Sequence, residues 1–309
     1  MDNQNDGMNR LAQAAESFIK QERWSRRWSN LLKFAVVAYL FISIAMLTGQ
    51  WVDTDEVVAG KHVAVVKLNG AIMPDSKTSA DVINPLLDEA FQDEDAAAVV
   101  IKANSPGGSP VQAAMINDEI TRLKNLYNKP VYAVVEDMCA SGCYYAVAAV
   151  DDIYANKGSI IGSIGVRMDT FGATELMKKI GIENRSMHSG KHKTFIDPFS
   201  KKDEVGRQFF QKEILDRTHQ QFIDAVRKGR GDRLIETPDT FTGLVWLGDA
   251  AVKNGMIDGL GDLGYVMRNI VKVKEAKVYE GKKSFVEQLM GDITTETATK
   301  LSLYLTGLK

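Results

Sequence analysis

Ser141 lies in the decapeptide Asp137-Met-Cys-Ala-Ser-Gly-Cys-Tyr-Tyr-Ala146, between a β-rich run (Pro130 to Val135) and a small, apolar helical run (Tyr144 to Val150). A serine at a helix start exposes its hydroxyl where backbone N–H groups and the helix dipole favour negative charge. That placement suits the nucleophile of an acyl-transfer enzyme, and it equally suits an N-cap. A second turn, Asn104-Ser-Pro-Gly-Gly-Ser-Pro110, also follows a strand and precedes a helix. Its paired glycines allow close backbone approach and positive φ. Without G-x-G-x-x-G or G-K-[ST] it is no nucleotide loop. Its remaining uses are an oxyanion hole, with amides aimed at a developing negative charge, or an ordinary strand-to-helix turn.

A serine nucleophile needs a base. The chain has four histidines, His62, His188, His192 and His219. His188 and His192 bracket a polar loop that also carries Lys191 and Lys193, so spacing leaves both a Ser–His and a Ser–Lys arrangement open. Lysine is a poor base near neutrality unless burial lowers its pKa. Most loop lysines are simply solvated.

The elements that must hold these residues read as alternating strands and helices. Strands are expected at His62–Leu68, Ala97–Lys102, Pro130–Val135, Ile153–Ala155, Ile160–Met168 and Glu183–Met187. Helical patterns cover Ala80–Phe91, Val111–Leu126, Thr174–Ile180, Glu204–Lys228 and Asp249–Asn254. The alternation predicts an α/β domain with a mainly parallel sheet. No internal repeat or low-complexity tract interrupts it.

The composition is that of a folded globular chain, 45% hydrophobic and 25% charged. A net charge of −2 gives no electrostatic footprint for nucleic acid. Near the N-terminus, Arg23, Arg26, Arg27 and Lys33 lead into an apolar run, Phe34 to Leu47, followed by Asp53, Asp55 and Glu56. Its length and aromatic flanks predict one membrane anchor, and the flanking charge puts the N-terminus in the cytoplasm and the rest across the membrane. The expected organisation is a cytoplasmic segment (1–30), an anchor (31–50), a linker (51–61), a catalytic domain (62–272) and a C-terminal tail (273–309). Cys139 and Cys143 are too few for a structural zinc site. They are expected as small buried thiols, with a disulfide as the alternative.

Taken in order, the Gly-rich turn, the Ala-Ser-Gly turn, Gly-Ser-Ile-Gly-Val (162–166), Ser-Gly-Lys-His-Lys (189–193) and the later Gly248–Gly261 stretch resemble the signal peptide peptidase A family, the S49 serine peptidases. The likeness runs from about His62 to Val271 and is to the short, membrane-anchored bacterial form. It implies a ClpP/crotonase-like fold and a serine endopeptidase in which Ser141 is the nucleophile and Lys193 the general base. Lys193 is preferred to Lys191 because the family pattern is Gly-x-x-Lys and Gly190 sets the register. The resemblance further implies that Ser163 orients the lysine, and that Gly107 or Gly108, with Gly142, forms the oxyanion hole. No cofactor or metal is implied. The expected partners are hydrophobic peptides such as remnant signal peptides, and further copies of the chain in a ring such as an octamer. The expected location is the bacterial inner membrane, with the catalytic domain periplasmic. Cys139 and Cys143 depart from the family, which usually has small residues there. A crotonase-type acyl-CoA enzyme and a catalytically silent tethered scaffold are the competing readings. An α/β-hydrolase is excluded, because cysteines replace the glycines of G-x-S-x-G.

Overall fold

The computed structural model describes residues 24, 28–43 and 60–280. The chain divides into two units, one comprising 1–57 and 283–309 and the other 58–282. In the first, residues 28–43 are helical, with Phe34, Tyr39 and Phe41 exposed. No helix among the described residues is long and apolar enough to cross a membrane. The rest of the expected anchor, 44–50, and the tail beyond residue 280 lie outside the described residues.

The second unit is built on an eight-stranded sheet. Three long strands form its centre: β1 (His62–Asn69), β2 (Ala96–Ser105) and β3 (Val131–Ala140). All three are parallel, β1 to β2 and β2 to β3. Their nearly unbroken β-branched runs are what a sheet buried on both faces requires. The side-chain alternation sorts them cleanly. Ala64, Val66, Val99, Ile101, Ala133 and Val135 enter the larger core cluster. Val63, Val65, Val100 and Val134 enter a smaller one on the opposite face.

Helices α1 (Ala80–Gln92) and α2 (Pro110–Tyr127) connect the central strands, and α3 (Gly142–Val147) follows β3. Two short strands then share one edge of β3. β4 (Asp152–Ala155) pairs with its first half through Tyr132–Val135, and β5 (Ile160–Gly162) with its end through Met138–Ala140. An arm follows, carrying α4 (Thr174–Lys179), and then a long helical stretch. This comprises α5 (Glu204–Phe210), a π-helical segment (Gln211–Asp216) and α6 (Arg217–Arg230). The chain closes with β6 (Val245–Leu247), α7 (Gly248–Lys253), β7 (Gly259–Leu260), α8 (Leu263–Tyr265) and β8 (Glu275–Tyr279). Among the described strands, only the β5–β6 pairing is antiparallel.

The expected mainly parallel α/β sheet is therefore present, with three differences in detail. Residues 183–187 form no strand and are exposed, with Asn184 tied by its side-chain amide to Phe199 O and not to any strand. The strand expected over 160–168 stops at Gly162, where φ reaches +105° and the chain turns away. Residues 275–279, placed with the tail from sequence, are β8 and pair in parallel with β1. Among the sheet's edges, this charged segment covers the one beside β1, which would otherwise expose unpaired backbone groups.

Candidate active site

Parallel strands place all their carboxyl ends on one edge, where open α/β sheets bind ligands. β2, β3 and β5 are neighbours there, with Ser105 in register with Cys139 and Gly162 with Ala140. The Gly-rich turn, Ser141 and Ser163 thus leave three adjacent strands at the same level. Residues far apart in sequence meet in one cleft of about 750 Å³, lined by Gly107, Gly108, Ser141, Gly142 and Ser163.

The capping question for Ser141 has a structural answer. Ser109, at the N-cap of α2, accepts the N–H of Gln112 through its hydroxyl in the usual way. Ser141 precedes α3 but makes no side-chain cap bond. Its backbone is at φ 53°, ψ −125°, far from the extended conformation of a capping residue. Such conformations cost about 1–3 kcal/mol and persist only where the surroundings over-determine them. Here the Ser141 N–H donates to Gly162 O at 2.7 Å, and Ser141 O accepts the Tyr145 N–H at 3.0 Å. A strained strand-to-helix turn that lifts a serine hydroxyl out of the backbone is the geometry of an exposed nucleophile.

The glycine turn presses directly on it. A Cβ on Gly107 would sit 2.5 Å from Gly142 N, 2.6 Å from Ala140 O and 2.8 Å from Ser141 Cβ. One on Gly108 would come within 2.1 Å of Ile72 O, and one on Gly142 within 3.1 Å of Gly108 N. The backbones of Gly108 and Gly142 therefore pack together beside Ser141. The Gly107 N–H already donates to Ser105 Oγ at 3.1 Å. Ser163 also has positive φ, 54°, and is pinned by its N–H to Leu244 O at 2.8 Å.

Sequence reasoning missed the wall of this cleft. Tyr145 and Phe222 line it and stack at 4.8 Å between ring centroids. Burial, helped by Asp118 and Asp224, raises the Tyr145 hydroxyl above the ordinary tyrosine pKa. Tyr145 was findable, because it lies one helical turn beyond Ser141 and so faces the same way. Phe222 comes from α6, and nothing local connects it to Ser141.

Cys139 and Cys143 form a disulfide with a Cα–Cα distance of 5.1 Å, which corrects the expectation of free thiols. Judged from spacing, the bridge is an obstacle to presenting Ser141. The strained turn instead brings the two residues within bridging distance.

None of the candidate bases joins the cleft lining. His62 is buried against Asp93, and His192 Nδ1 pairs with Asp203 Oδ2 at 2.6 Å. His219 Nε2 meets Ile164 O, and His188 is exposed. Lys193 is exposed in a turn closed by its own N–H to Gly190 O at 3.1 Å, and Lys191 is exposed beside it. The whole arm from 165 to 205 contains no buried residue. It displays Phe171, Leu176, Ile180 and Met187, the last 98% exposed. One chain therefore brings together Ser141, the glycine amides and Ser163, but does not bring Lys193 to them. Among the described residues, no three His, Cys, Asp or Glu side chains group as a metal site.

The model of peptidase family S49 matches residues 124–279, a span that includes Ser141, Ser163 and Lys193. A putative protease of Methanocaldococcus jannaschii is 30% identical over 241 residues, covering 75% of this chain and 76% of that one. The chain belongs to peptidase family S49. Within S49, it is 27% identical over 239 residues to a putative signal peptide peptidase SppA of Enterococcus faecium, covering 74% of this chain and 69% of that protein. It is 42% identical over 215 residues to a Brucella abortus protein named Na(+)/H(+) antiporter NhaA, covering 67% of this chain. The S49 chain spans only 29% of that Brucella protein's length.

Proposed function

We propose that this chain is a membrane-anchored serine endopeptidase that cleaves hydrophobic peptides, remnant signal peptides among them, by a Ser141–Lys193 dyad. The observation that carries the reading is the uncapped, strained Ser141 turn with the Gly108 and Gly142 backbones packed beside it. Family S49 membership supports the reaction class.

Neutral Lys193 Nζ takes the proton from Ser141 Oγ as the oxygen attacks the scissile carbonyl carbon. The carbonyl π bond opens, and the N–H groups of Gly108 and Gly142 hold the resulting oxyanion. Gly107 is set aside as a donor because its N–H is engaged by Ser105. Collapse of the tetrahedral species breaks the C–N bond, and the Lys193 ammonium protonates the departing amine. Water, deprotonated by Lys193, then hydrolyses the acyl-enzyme and frees Ser141. Ser163, at the end of β5, orients the lysine amine.

Lys193 reaches Ser141 from a neighbouring copy in a ring-shaped homo-oligomer. The exposed, apolar arm that carries it supports this, since so much unpartnered apolar surface marks an interaction site. The ClpP/crotonase-type architecture implied by family resemblance belongs to the same proposal. So does a periplasmic catalytic domain behind a cytoplasmic N-terminus. The Cys139–Cys143 disulfide supports an oxidising compartment. Tyr145 and Phe222 give the cleft an aromatic wall suited to apolar side chains.

The test is casein hydrolysis by the full chain in detergent, beside Ser141→Ala, Lys193→Ala and an equimolar co-assembly of the two. Each variant alone is expected to be inactive, with partial activity in the mixture, where intact Ser141 meets intact Lys193 across an interface. Normal turnover by Lys193→Ala rejects the dyad. An inactive but properly assembled wild type moves the weight to a tethered scaffold.

A further inference from the structure

We propose that the Cys139–Cys143 disulfide is the positioning element of the nucleophile turn, so that opening it slows acylation of Ser141 while the domain stays folded. The claim about acylation rests on reading Ser141 as the nucleophile.

The two sulfurs belong to residues placed two before and two after Ser141, and both cysteines are fully buried. Cys139 is the penultimate residue of β3, in register with Ser105 of β2 and Ile161 of β5. Cys143 is in the first turn of α3. The bridge therefore ties the helix that begins at Gly142 to the middle of the sheet, across the residue whose hydroxyl is presented.

The body of α3 is anchored by burial and by bonds from Tyr144 OH to Met256 O at 2.7 Å and from Asn117 Nδ2 to Tyr145 O at 2.8 Å, but none of these bonds is made by Ser141 itself. Ser141 adopts φ 53°, ψ −125°, and its side chain makes no capping bond. The turn's own backbone bonds are the two to Gly162 O and from Tyr145 N–H. α3 is six residues long, too short to fix its own first turn by helix propagation. A strained conformation survives where its surroundings over-determine it, and a covalent clamp does that. The clamp matters for chemistry because Ser141 Cβ and Gly142 N are the atoms on which the Gly107 backbone closes. A turn that relaxes moves the hydroxyl relative to the oxyanion donors.

Opening the bridge is a two-electron exchange with a dithiol. One thiolate attacks a cysteine sulfur, the S–S bond breaks, and a mixed disulfide forms. The second thiol displaces the remaining cysteine, leaving two protein thiols and an oxidised cyclic disulfide. The freed thiols stay in an apolar setting, where cysteine is inert. Any change in rate then reports geometry, not a new nucleophile.

The experiment uses the full chain in detergent, oxidised or treated with dithiothreitol, with bridge state read from intact mass. The rate of Ser141 labelling by a fluorophosphonate is measured together with amide hydrogen exchange along the chain. Opening the bridge is expected to slow labelling by roughly ten- to a hundred-fold, the scale of a reacting group displaced by about 1 Å. Exchange is expected to speed up in residues 140–147 alone, and re-oxidation is expected to restore both. The double variant Cys139→Ala/Cys143→Ala should behave as the reduced protein, and reversible reduction of the wild type decides the matter where that variant fails to fold. Unchanged labelling and exchange in the reduced protein overturn the proposal, as do two free thiols in protein purified under oxidising conditions. Faster exchange throughout the domain overturns it as well, because the bridge is then a general brace. Absence of labelling in both forms rejects Ser141 as nucleophile, and the exchange data alone then uphold or overturn the positioning of the turn.

Discussion

Replacing Gly107 by alanine adds one carbon at the point where the Gly107–Gly108 turn and the Ser141 turn meet. Two separable costs follow. The backbone is at φ +92°, where an L-residue is strained by about 1–3 kcal/mol. The new Cβ would also lie 2.5 Å from Gly142 N and 2.8 Å from Ser141 Cβ, against an ordinary contact of 3.4–4 Å. All three nearest atoms belong to the Ser141 turn, two of them backbone, so relief requires the turns to separate by about 1 Å. A displacement of that size costs on the order of 10²-fold in rate, about 2.7 kcal/mol in the barrier. Gly70→Ala separates the two costs. Gly70 has φ +107°, and a Cβ added there would meet nothing within 4 Å, so it carries the strain without the collision. The assay is fluorophosphonate labelling of Ser141 beside thermal unfolding by circular dichroism. Both variants are expected to melt lower, and only Gly107→Ala to label slowly. A folded Gly107→Ala protein labelling at the wild-type rate refutes the placement of these amides at the reacting centre.

Two further perturbations test what holds the sheet beneath the site. Arg230 is fully buried and forms a bidentate pair with Asp258 at 2.8 and 2.9 Å, while Asp258 Oδ2 also accepts the Ile153 N–H. Asp258→Asn leaves the guanidinium charge buried without its counter-charge and is expected to destabilise by about 3–5 kcal/mol. In a domain of this size that lowers the melting temperature by roughly 10 °C, and a loss below about 1 kcal/mol in urea titration contradicts the assignment. At the β1–β8 edge, Asp93 accepts from Tyr279 OH at 2.5 Å and Lys277 Nζ at 3.0 Å. Burial works to raise its pKa, but these hydrogen bonds outweigh it and hold the carboxyl well below the ordinary range. The unfolded chain therefore takes up this proton first as pH falls. The stability that Asp93 contributes is complete above about pH 4 and is lost progressively below it. Asp93→Asn is expected to flatten the acid limb of stability against pH, and an unchanged limb rejects the linkage. On the alkaline side, burial and Asp93 push the Tyr279 hydroxyl up to about 12, so its contribution fades between about pH 10 and 12.

The strands at the centre of the sheet were legible because burial on both faces demands runs such as Val63–Val66 and Val99–Ile101, which few other structures tolerate. The glycine turn and Ser141 stood out as candidates because their pattern is local: paired glycines, a serine and a helix start lie within a few residues of one another. The short pieces were not. β5 is three residues long, and β8 mixes Glu275 and Lys277 with Ala276 and Val278, so pairing with β1 rather than its own composition makes it a strand. The reverse error at 183–187 has the same cause, since alternation creates a strand only where an edge is free to receive it. The disulfide was misjudged because spacing alone does not disclose the left-handed turn at Ser141 that brings the two cysteines within 5.1 Å.

Lys193 poses a different problem from these short strands. Ser141 and the glycines owe their positions to strands within one chain, so one sequence encodes them and one chain displays them. The arm that carries Lys193 has no fully buried residue from 165 to 205. A segment with exposed Phe171, Leu176, Ile180 and Met187 gains stability by covering them, and in the proposed ring a neighbouring copy would be what covers them. Under this reading the base is delivered by assembly, and catalysis is coupled to it: a dissociated chain keeps the Ser141 turn and its amides but has no group to take the proton. Dilution to concentrations at which the ring dissociates should then abolish hydrolysis while leaving the far-ultraviolet circular dichroism of the domain intact, and a monomer with full turnover would place Lys193 in its own chain's cleft.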